Sequence, residues 1–206
     1  MNAWAGSFGA QYTDRNPQTL ADLEALYRSS FGRSRTEMNQ EFLANLDTSA
    51  RVLEVGCNLG LQLLCLQEMG FTNLYGIELQ PYAVERARQT TRGINIITGS
   101  AFDVPFKDGF FDLTFTSGVL IHIAPADLPV AFDELCRCSK RWVWGFEYFA
   151  ETQTEIPYRG HTALLWKADF ARLLLERHPE LEMVKQSRYK YVANENTDAM
   201  YLLRKR

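Results

Sequence analysis

At Arg51-Val52-Leu53-Glu54-Val55-Gly56-Cys57-Asn58-Leu59-Gly60, an apolar, β-branched run ends in a glycine. Val52, Leu53 and Val55 read as a buried strand. Gly56 takes the turn that follows, where glycine tolerates unusual backbone angles and lets a ligand approach the main chain. Gly60 then stands where a helix begins, expected over Leu59 to about Met69. Such a helix opens on unsatisfied N–H groups and a partial positive charge. Glu54 lies at the end of the strand, beside this loop. An acid there suits a ligand with an ammonium group and repels a pyrophosphate.

The rest of the chain repeats the same unit. Strands are expected at 73–78, 94–98, 111–116 and 141–146, with helices at about 82–91, 125–139 and 167–177. Two last strands, 181–192 and 199–204, flank the turn 193–196. Alternating strands and helices build a parallel sheet with right-handed crossovers, and two successive strands make an antiparallel edge. The fold class is therefore α/β: a doubly wound, mostly parallel seven-stranded sheet closed by a C-terminal antiparallel hairpin. Ligands of such sheets bind beyond the carboxyl ends of the strands. Glu54, Glu78, Ser100–Phe102, Ser117–His122 and Glu147–Tyr148 all fall there.

Residues 1–50 are expected to form a helical arm or lid, and residues 51–206 the core of a single domain. Leu20, Leu23, Leu26 and Tyr27 recur at helical spacing after Pro17, and a second helix is expected over 36–46. Residues 1–16 show no clean period but collect Trp4, Phe8 and Tyr12 with two glycines. They either pack these rings onto the domain or cover a ligand, with Tyr12, Arg15 or Asn16 reaching a carboxylate.

A net charge of −3 argues against a nucleic-acid partner, which wants a basic field. The basic end Arg204-Lys205-Arg206 reads as a solvated tail. No apolar run reaches the ~20 residues that span a bilayer, and no charged-then-apolar leader is present. A cytoplasmic protein, monomeric or homodimeric, with no membrane contact is expected. Cys57, Cys65, Cys136 and Cys138 are not spaced as a metal site, so neither a metal nor a disulfide is expected.

Glu78 ends the second strand, where a carboxylate can accept both ribose hydroxyls of a nucleoside. That alone suits a nicotinamide-dependent oxidoreductase as well. A dinucleotide fingerprint, however, wants glycine where this chain has Asn58.

The run Leu53–Gly60, with Gly76-Ile77-Glu78, Gly99–Phe106 and Phe111-Asp112-Leu113, resembles the class I S-adenosylmethionine-dependent methyltransferases. More narrowly, Trp4-Ala5-Gly6, Phe8-Gly9, Tyr12 and Arg15-Asn16 are similar to the pseudaminic acid biosynthesis-associated methylases. So are Thr116–Ile123, Tyr158-Arg159-Gly160-His161 and Leu165-Trp166-Lys167.

The resemblance implies S-adenosyl-L-methionine as cofactor, S-adenosyl-L-homocysteine as product, and transfer to an oxygen or nitrogen of a small molecule such as a sugar or surface-glycan precursor. Glu54 would face the methionine ammonium, Gly56 would admit the methionine portion, and Glu78 would hold the ribose. Ala101 and Phe102 would lie against adenine, with Ser100 where many relatives carry an acid. Asn58 replaces a common glycine; Gly60, Leu79, Ser117 and Gly118 complete the expected cofactor set with Tyr12 and Arg15.

His122 is the candidate general base, or else a structural histidine bonding a backbone carbonyl. Tyr148 is a second catalytic candidate. Trp4, Glu147, Arg159 and His161 join these two as candidate acceptor-binding residues. Trp166 is expected in the core and His178 on a surface loop. A methyltransferase-like binding protein without turnover is the other alternative.

Overall fold

The computed structural model describes residues 2–206. Its helices, strands and turns follow from the local sequence. Two short helices come first, α1 (Asn2–Ala5) and α2 (Ser7–Arg15), then α3 (Leu20–Phe31) and α4 (Arg35–Leu43). Capping boxes open the latter two: Thr19 with Asp22, and Ser34 with Glu37, each pair satisfying backbone N–H groups reciprocally. The αL residue Gly32 stops α3.

Strand β1 (Arg51–Val55) leads into α5 (Leu61–Glu68), β2 (Asn73–Glu78), α6 (Pro81–Thr90) and β3 (Ile94–Thr98). Next come β4 (Phe111–Ser117), a 3-10 turn (Leu120–His122), α7 (Leu128–Cys138) and β5 (Ser139–Tyr148). A small pair, β6 (Thr154–Glu155) and β7 (Trp166–Lys167), precedes α8 (Phe170–Arg177), β8 (Leu181–Lys190) and β9 (Thr197–Lys205).

Seven strands form one sheet in the order β3-β2-β1-β4-β5-β9-β8. β1 with β2, β2 with β3, and β4 with β5 pair parallel, whereas β9 pairs antiparallel with β5 and β8. This is the expected doubly wound sheet with its terminal hairpin. The chain divides into two compact units, Met1–Pro105 and Phe106–Arg206.

In the first unit, Val52, Leu53 and Val55 are buried to 1% exposure or less, as a strand covered on both faces requires. In the second, Phe111, Leu113, Phe115, Val143 and Trp144 fill the equivalent positions. All four cysteines are buried and free. Among the described residues no helix is long and apolar enough to cross a membrane.

Residues 2–15, where the sequence shows no clean period, are helical and interrupted at Gly6. Trp4, Phe8 and Tyr12 do recur every four residues, and their rings meet edge to face at 5.1 and 5.3 Å between centroids. The glycines between them hide this stripe. His178 also differs from a plain surface loop: it caps α8, its side chain only 15% exposed between Asp133 and Glu180, at 3.1 Å from each.

Candidate functional site

The turn after β1 forms as the glycines require. Gly56 and Gly60 lie at φ 77° and 74°, and Asn58 between them at φ 45°, a left-handed conformation that asparagine tolerates better than most side chains. The Gly56 and Cys57 N–H groups both donate to Ile77 O, at 2.8 and 3.0 Å, which ties the turn to the end of β2.

Gly76, opposite Glu54 in the β1–β2 register, leaves room for this turn. A Cβ there would stand 2.6 Å from Cys57 Sγ and 3.0 Å from Leu63 Cδ1. Gly76→Val is therefore expected to destabilise the chain by about 1–3 kcal/mol, the usual cost of overpacking. The check is a denaturant melt beside a titration with S-adenosylhomocysteine, which should bind more weakly.

Glu78 is half-buried at the end of β2, with both carboxylate oxygens engaged. Oε2 accepts from Asn58 N at 2.9 Å and Oε1 from Gln80 N at 2.8 Å. Each oxygen retains further lone-pair capacity for a hydroxyl. Burial raises the Glu78 pKa while these backbone donors oppose the rise.

Glu54 is 2% exposed, and its Oε2 is buried with no hydrogen-bond partner. A buried carboxylate oxygen without a donor is costly, so the position fits a ligand that brings one. Burial pushes its pKa well up; Arg35 works against that and Glu78 adds to it. The acceptor capacity of these two acids and the turn between them fit the ammonium and ribose of S-adenosylmethionine.

The N-terminal helices are fastened to this turn and to the start of α6 by residues that sequence reading missed. Thr13, buried on α2, donates from Oγ1 to Asn58 Oδ1 at 3.0 Å. Gln80 Nε2 donates to the carbonyls of Trp4, Ala5 and Gly6, at 3.4, 3.2 and 2.8 Å. Asp14 accepts from Tyr82 Oη and Arg86 at 2.7 and 2.9 Å. Tyr12 is half-buried in the aromatic stripe, and Arg15 is exposed with its guanidinium 5.8 Å from the Phe8 ring. Trp4, expected toward an acceptor, packs with Phe8 and Tyr12.

After β3, Ser100 and Asp103 pair across a tight loop, and Ser100 Oγ accepts from Phe102 N at 3.2 Å. Leu79, Ala101 and Phe102 are half-buried.

In the second unit, Ser117 ends β4 and Gly118 follows at φ 67°, its N–H donating to Phe146 O at 2.9 Å. Glu147, expected at the acceptor, is 1% exposed and engaged with this loop instead. Its carboxylate accepts from Val119 N at 3.2 Å and Ile121 N at 3.4 Å, and Thr116 and Tyr201 lie beside it. Burial raises its pKa to about 7 against those bonds.

A folded-state pKa above the usual 4.5 means stability is lost as pH rises from 4.5 through about 7. Glu147→Gln is expected to remove that loss. Its stability relative to the parent should improve across the window by at most about 1.4 kcal/mol per pH unit, read from melts at several pH values.

His122 ends the 3-10 turn, half-buried, with Nδ1 2.8 Å from Leu164 O. A carbonyl only accepts, so Nδ1 carries the proton and Nε2 the lone pair. Burial lowers the His122 pKa to about 4, leaving it neutral near pH 7.

The Tyr158 ring lies 5.5 Å from His122. Tyr158 belongs to the motif Tyr158-Arg159-Gly160-His161 and lies outside the expected site set. Tyr158 and His161 exchange backbone hydrogen bonds around Arg159 and Gly160, at φ 52° and 80°, so this is a tight hairpin turn. Arg159 and His161 are exposed on it. Tyr148 is half-buried at the end of β5, with Lys167 Nζ 5.9 Å from its ring. Trp166 is buried, as expected. Among the described residues no group of three or more acids, histidines and cysteines could hold a metal ion.

The methyltransferase domain family matches residues 53–142, which run from within β1 to the first residues of β5. An uncharacterised methyltransferase of Synechocystis sp. is 35% identical over 78 residues, 38% of this chain and 36% of the relative. The matched stretch thus spans about a third of that relative.

A Burkholderia thailandensis 1,6-didemethyltoxoflavin-N1-methyltransferase, solved with 1,6-didemethyltoxoflavin and S-adenosylhomocysteine, shares the fold at TM-score 0.72. It is 15% identical, with 99% of this chain and 88% of that one covered. A Pyrococcus horikoshii OT3 protein gives TM-score 0.72 at 15% identity over 95% and 99% of the two chains. The sheet is the Rossmann-like methyltransferase sheet, and it is within residues 53–142 that the chain is similar to the methyltransferase domain family.

Proposed function

We propose that this chain transfers the methyl group of S-adenosylmethionine to an oxygen or nitrogen of a small-molecule acceptor, an acidic sugar or surface-glycan precursor being the leading candidate. The observation that carries the reading is the pair of acids flanking the glycine turn of a methyltransferase domain. Glu54 presents a buried oxygen without a donor, and Glu78 a carboxylate held by two N–H groups.

When bound, the cofactor supplies an electrophilic methyl group on a sulfonium. Glu54 takes its ammonium, Glu78 its ribose hydroxyls, and the Ala101–Phe102 loop its adenine. Residues 1–50 act as the lid, since Thr13 fastens α2 to the cofactor turn and Gln80 ties the α1–α2 junction to the start of α6, which helps exclude water.

On the acceptor side, His122 receives the proton at Nε2 while Nδ1–H stays on Leu164 O. Tyr148 and Tyr158 offer rings and hydroxyls, and Arg159 and His161 pair with an acidic group. Glu147 positions the loop that carries His122. Methyl transfer is an in-line displacement, so placing the acceptor contributes most of the rate. A cytoplasmic location and a monomer or homodimer complete the proposal.

A screen of acidic sugars, hydroxy acids and amines, following S-adenosylhomocysteine release, tests it. Acceptor-dependent release supports the reading. Cofactor binding with no acceptor-dependent release favours the second reading, a binding protein without turnover. The low His122 pKa speaks for that alternative, because such an imidazole is a weak base.

A further inference from the structure

Asn58 and Gln80 each meet the Glu78 carboxylate with their main chain and the N-terminal helices with their side chain. Their N–H groups donate to Glu78 Oε2 and Oε1, at 2.9 and 2.8 Å. Asn58 Oδ1 accepts from Thr13 Oγ1 of α2 at 3.0 Å, and Gln80 Nε2 donates to Gly6 O, at the α1–α2 junction, at 2.8 Å. The acid therefore sits between two residues that both reach the arm, one on either oxygen.

The seat is built for close contact. Thr13 is 2% exposed and Gln80 8%. A Cβ at Gly9 would run into the Trp4 carbonyl oxygen and stand 3.1 Å from Gln80 Nε2, so glycine is what lets the two helices and the amide meet. Asn58 holds φ 45°, a conformation that glycine would adopt more easily; what its side chain adds is the contact with the arm.

Thr13 can give up that contact without stranding its hydroxyl. Gly9 O lies 3.2 Å from Oγ1, one turn back on α2, and the single hydroxyl proton serves one acceptor or the other. The contact thus has two satisfied arrangements, docked on Asn58 or folded back on its own helix.

We infer that Thr13 and Gln80 are positioning residues that couple the arm to the ribose subsite. A ligand with a ribose diol on Glu78 steadies Asn58 and Gln80 and closes α1 and α2, and the closed arm holds that ligand more tightly. Such coupling is reciprocal by necessity. It rests on the reading of Glu78 as the ribose acid. The nucleoside is then what sets the arm, whichever group its 5′ carbon carries.

Hydrogen exchange of residues 7–15 in the full chain tests this, with S-adenosylhomocysteine or 5′-methylthioadenosine at saturation. The second probe keeps the ribose but lacks the amino-acid group. Both should slow exchange of α2 about fivefold or more, the lower end of usual coupling between sites. Thr13→Val keeps the shape and removes the hydroxyl. In that variant the slowing should drop below about twofold, and both probes should bind about 3- to 10-fold more weakly, the scale of one neutral hydrogen bond. Gln80→Met keeps its N–H for Glu78 and loses the amide; it should act the same way, and it decides if Thr13→Val does not fold.

No slowing by bound S-adenosylhomocysteine overturns the proposal, as does slowing by it but not by bound methylthioadenosine. A Thr13→Val chain that melts lower yet binds both probes as the parent does makes the contact structural only, and overturns it too. Glu78→Ala separates the two readings. If affinity falls as expected but the saturating probe still slows α2 as in the parent, the coupling fails and Glu78 stays in the site. If affinity does not change, Glu78 leaves the site and the coupling goes with it.

Discussion

Glu78→Ala is expected to weaken S-adenosylhomocysteine binding about 100-fold, while the thermal melt shifts little. Two hydroxyl-to-carboxylate hydrogen bonds are at stake, each worth about 1.5–3 kcal/mol when one partner is charged. Part of that is returned to water, which brings the net loss to about 3 kcal/mol, or two decades in affinity. The side chain has a second task, since its oxygens accept from Asn58 N and Gln80 N. Asn58 N sits in a half-buried turn that water can reach in the variant, so the fold should tolerate the loss. Glu78→Gln keeps one carbonyl acceptor and should fall between the parent and the alanine variant. Unchanged affinity in Glu78→Ala would take this acid out of the site.

The second large effect concerns turnover. With acceptor and cofactor saturating, His122→Ala is expected to lower kcat about 100-fold, the low end for a general base. The low end applies because burial holds the imidazole at a pKa of about 4, far from the ideal near the working pH. S-adenosylhomocysteine affinity should stay within about twofold, because no cofactor contact is removed. The parent should show no inflection near pH 6.5 in kcat, since the neutral form already dominates there.

The same shift has a cost in stability. A folded histidine with a lowered pKa resists protonation, so stability falls as pH drops from 6.5 toward 4. Near-normal turnover in His122→Ala would make the side chain structural, its bond to Leu164 O linking the 3-10 turn to the loop before β7.

Much of this architecture could be read from the sequence because its signals are local. Val52, Leu53 and Val55 form an unbroken apolar run, Gly56 and Gly60 punctuate it, and Glu54 and Glu78 stand at strand ends. The terminal hairpin followed from two strands around a short polar turn. The period within residues 2–15 is hard to see because Gly6 and Gly9 break up a stripe made of only three aromatic residues.

The contacts that fasten the arm were out of reach. Gln80 to the Trp4–Gly6 carbonyls and Thr13 to Asn58 join residues far apart in sequence, and neither pair follows a period. Glu147 was read as an acceptor contact because strand ends usually face the ligand; here the loop 118–121 takes the carboxylate first. Arg35 fell just before the expected start of its helix. One signal for it was present and unread: Ser34 followed by Glu37 three residues on is a capping box, which places Arg35 inside the first turn.

The most direct measurement is a calorimetric titration of the full chain with S-adenosylmethionine, S-adenosylhomocysteine and NADH. The account predicts micromolar binding of the first two at one site per chain and none of NADH. Binding of NADH alone, or no response to any of the three with or without candidate acceptors, would contradict it.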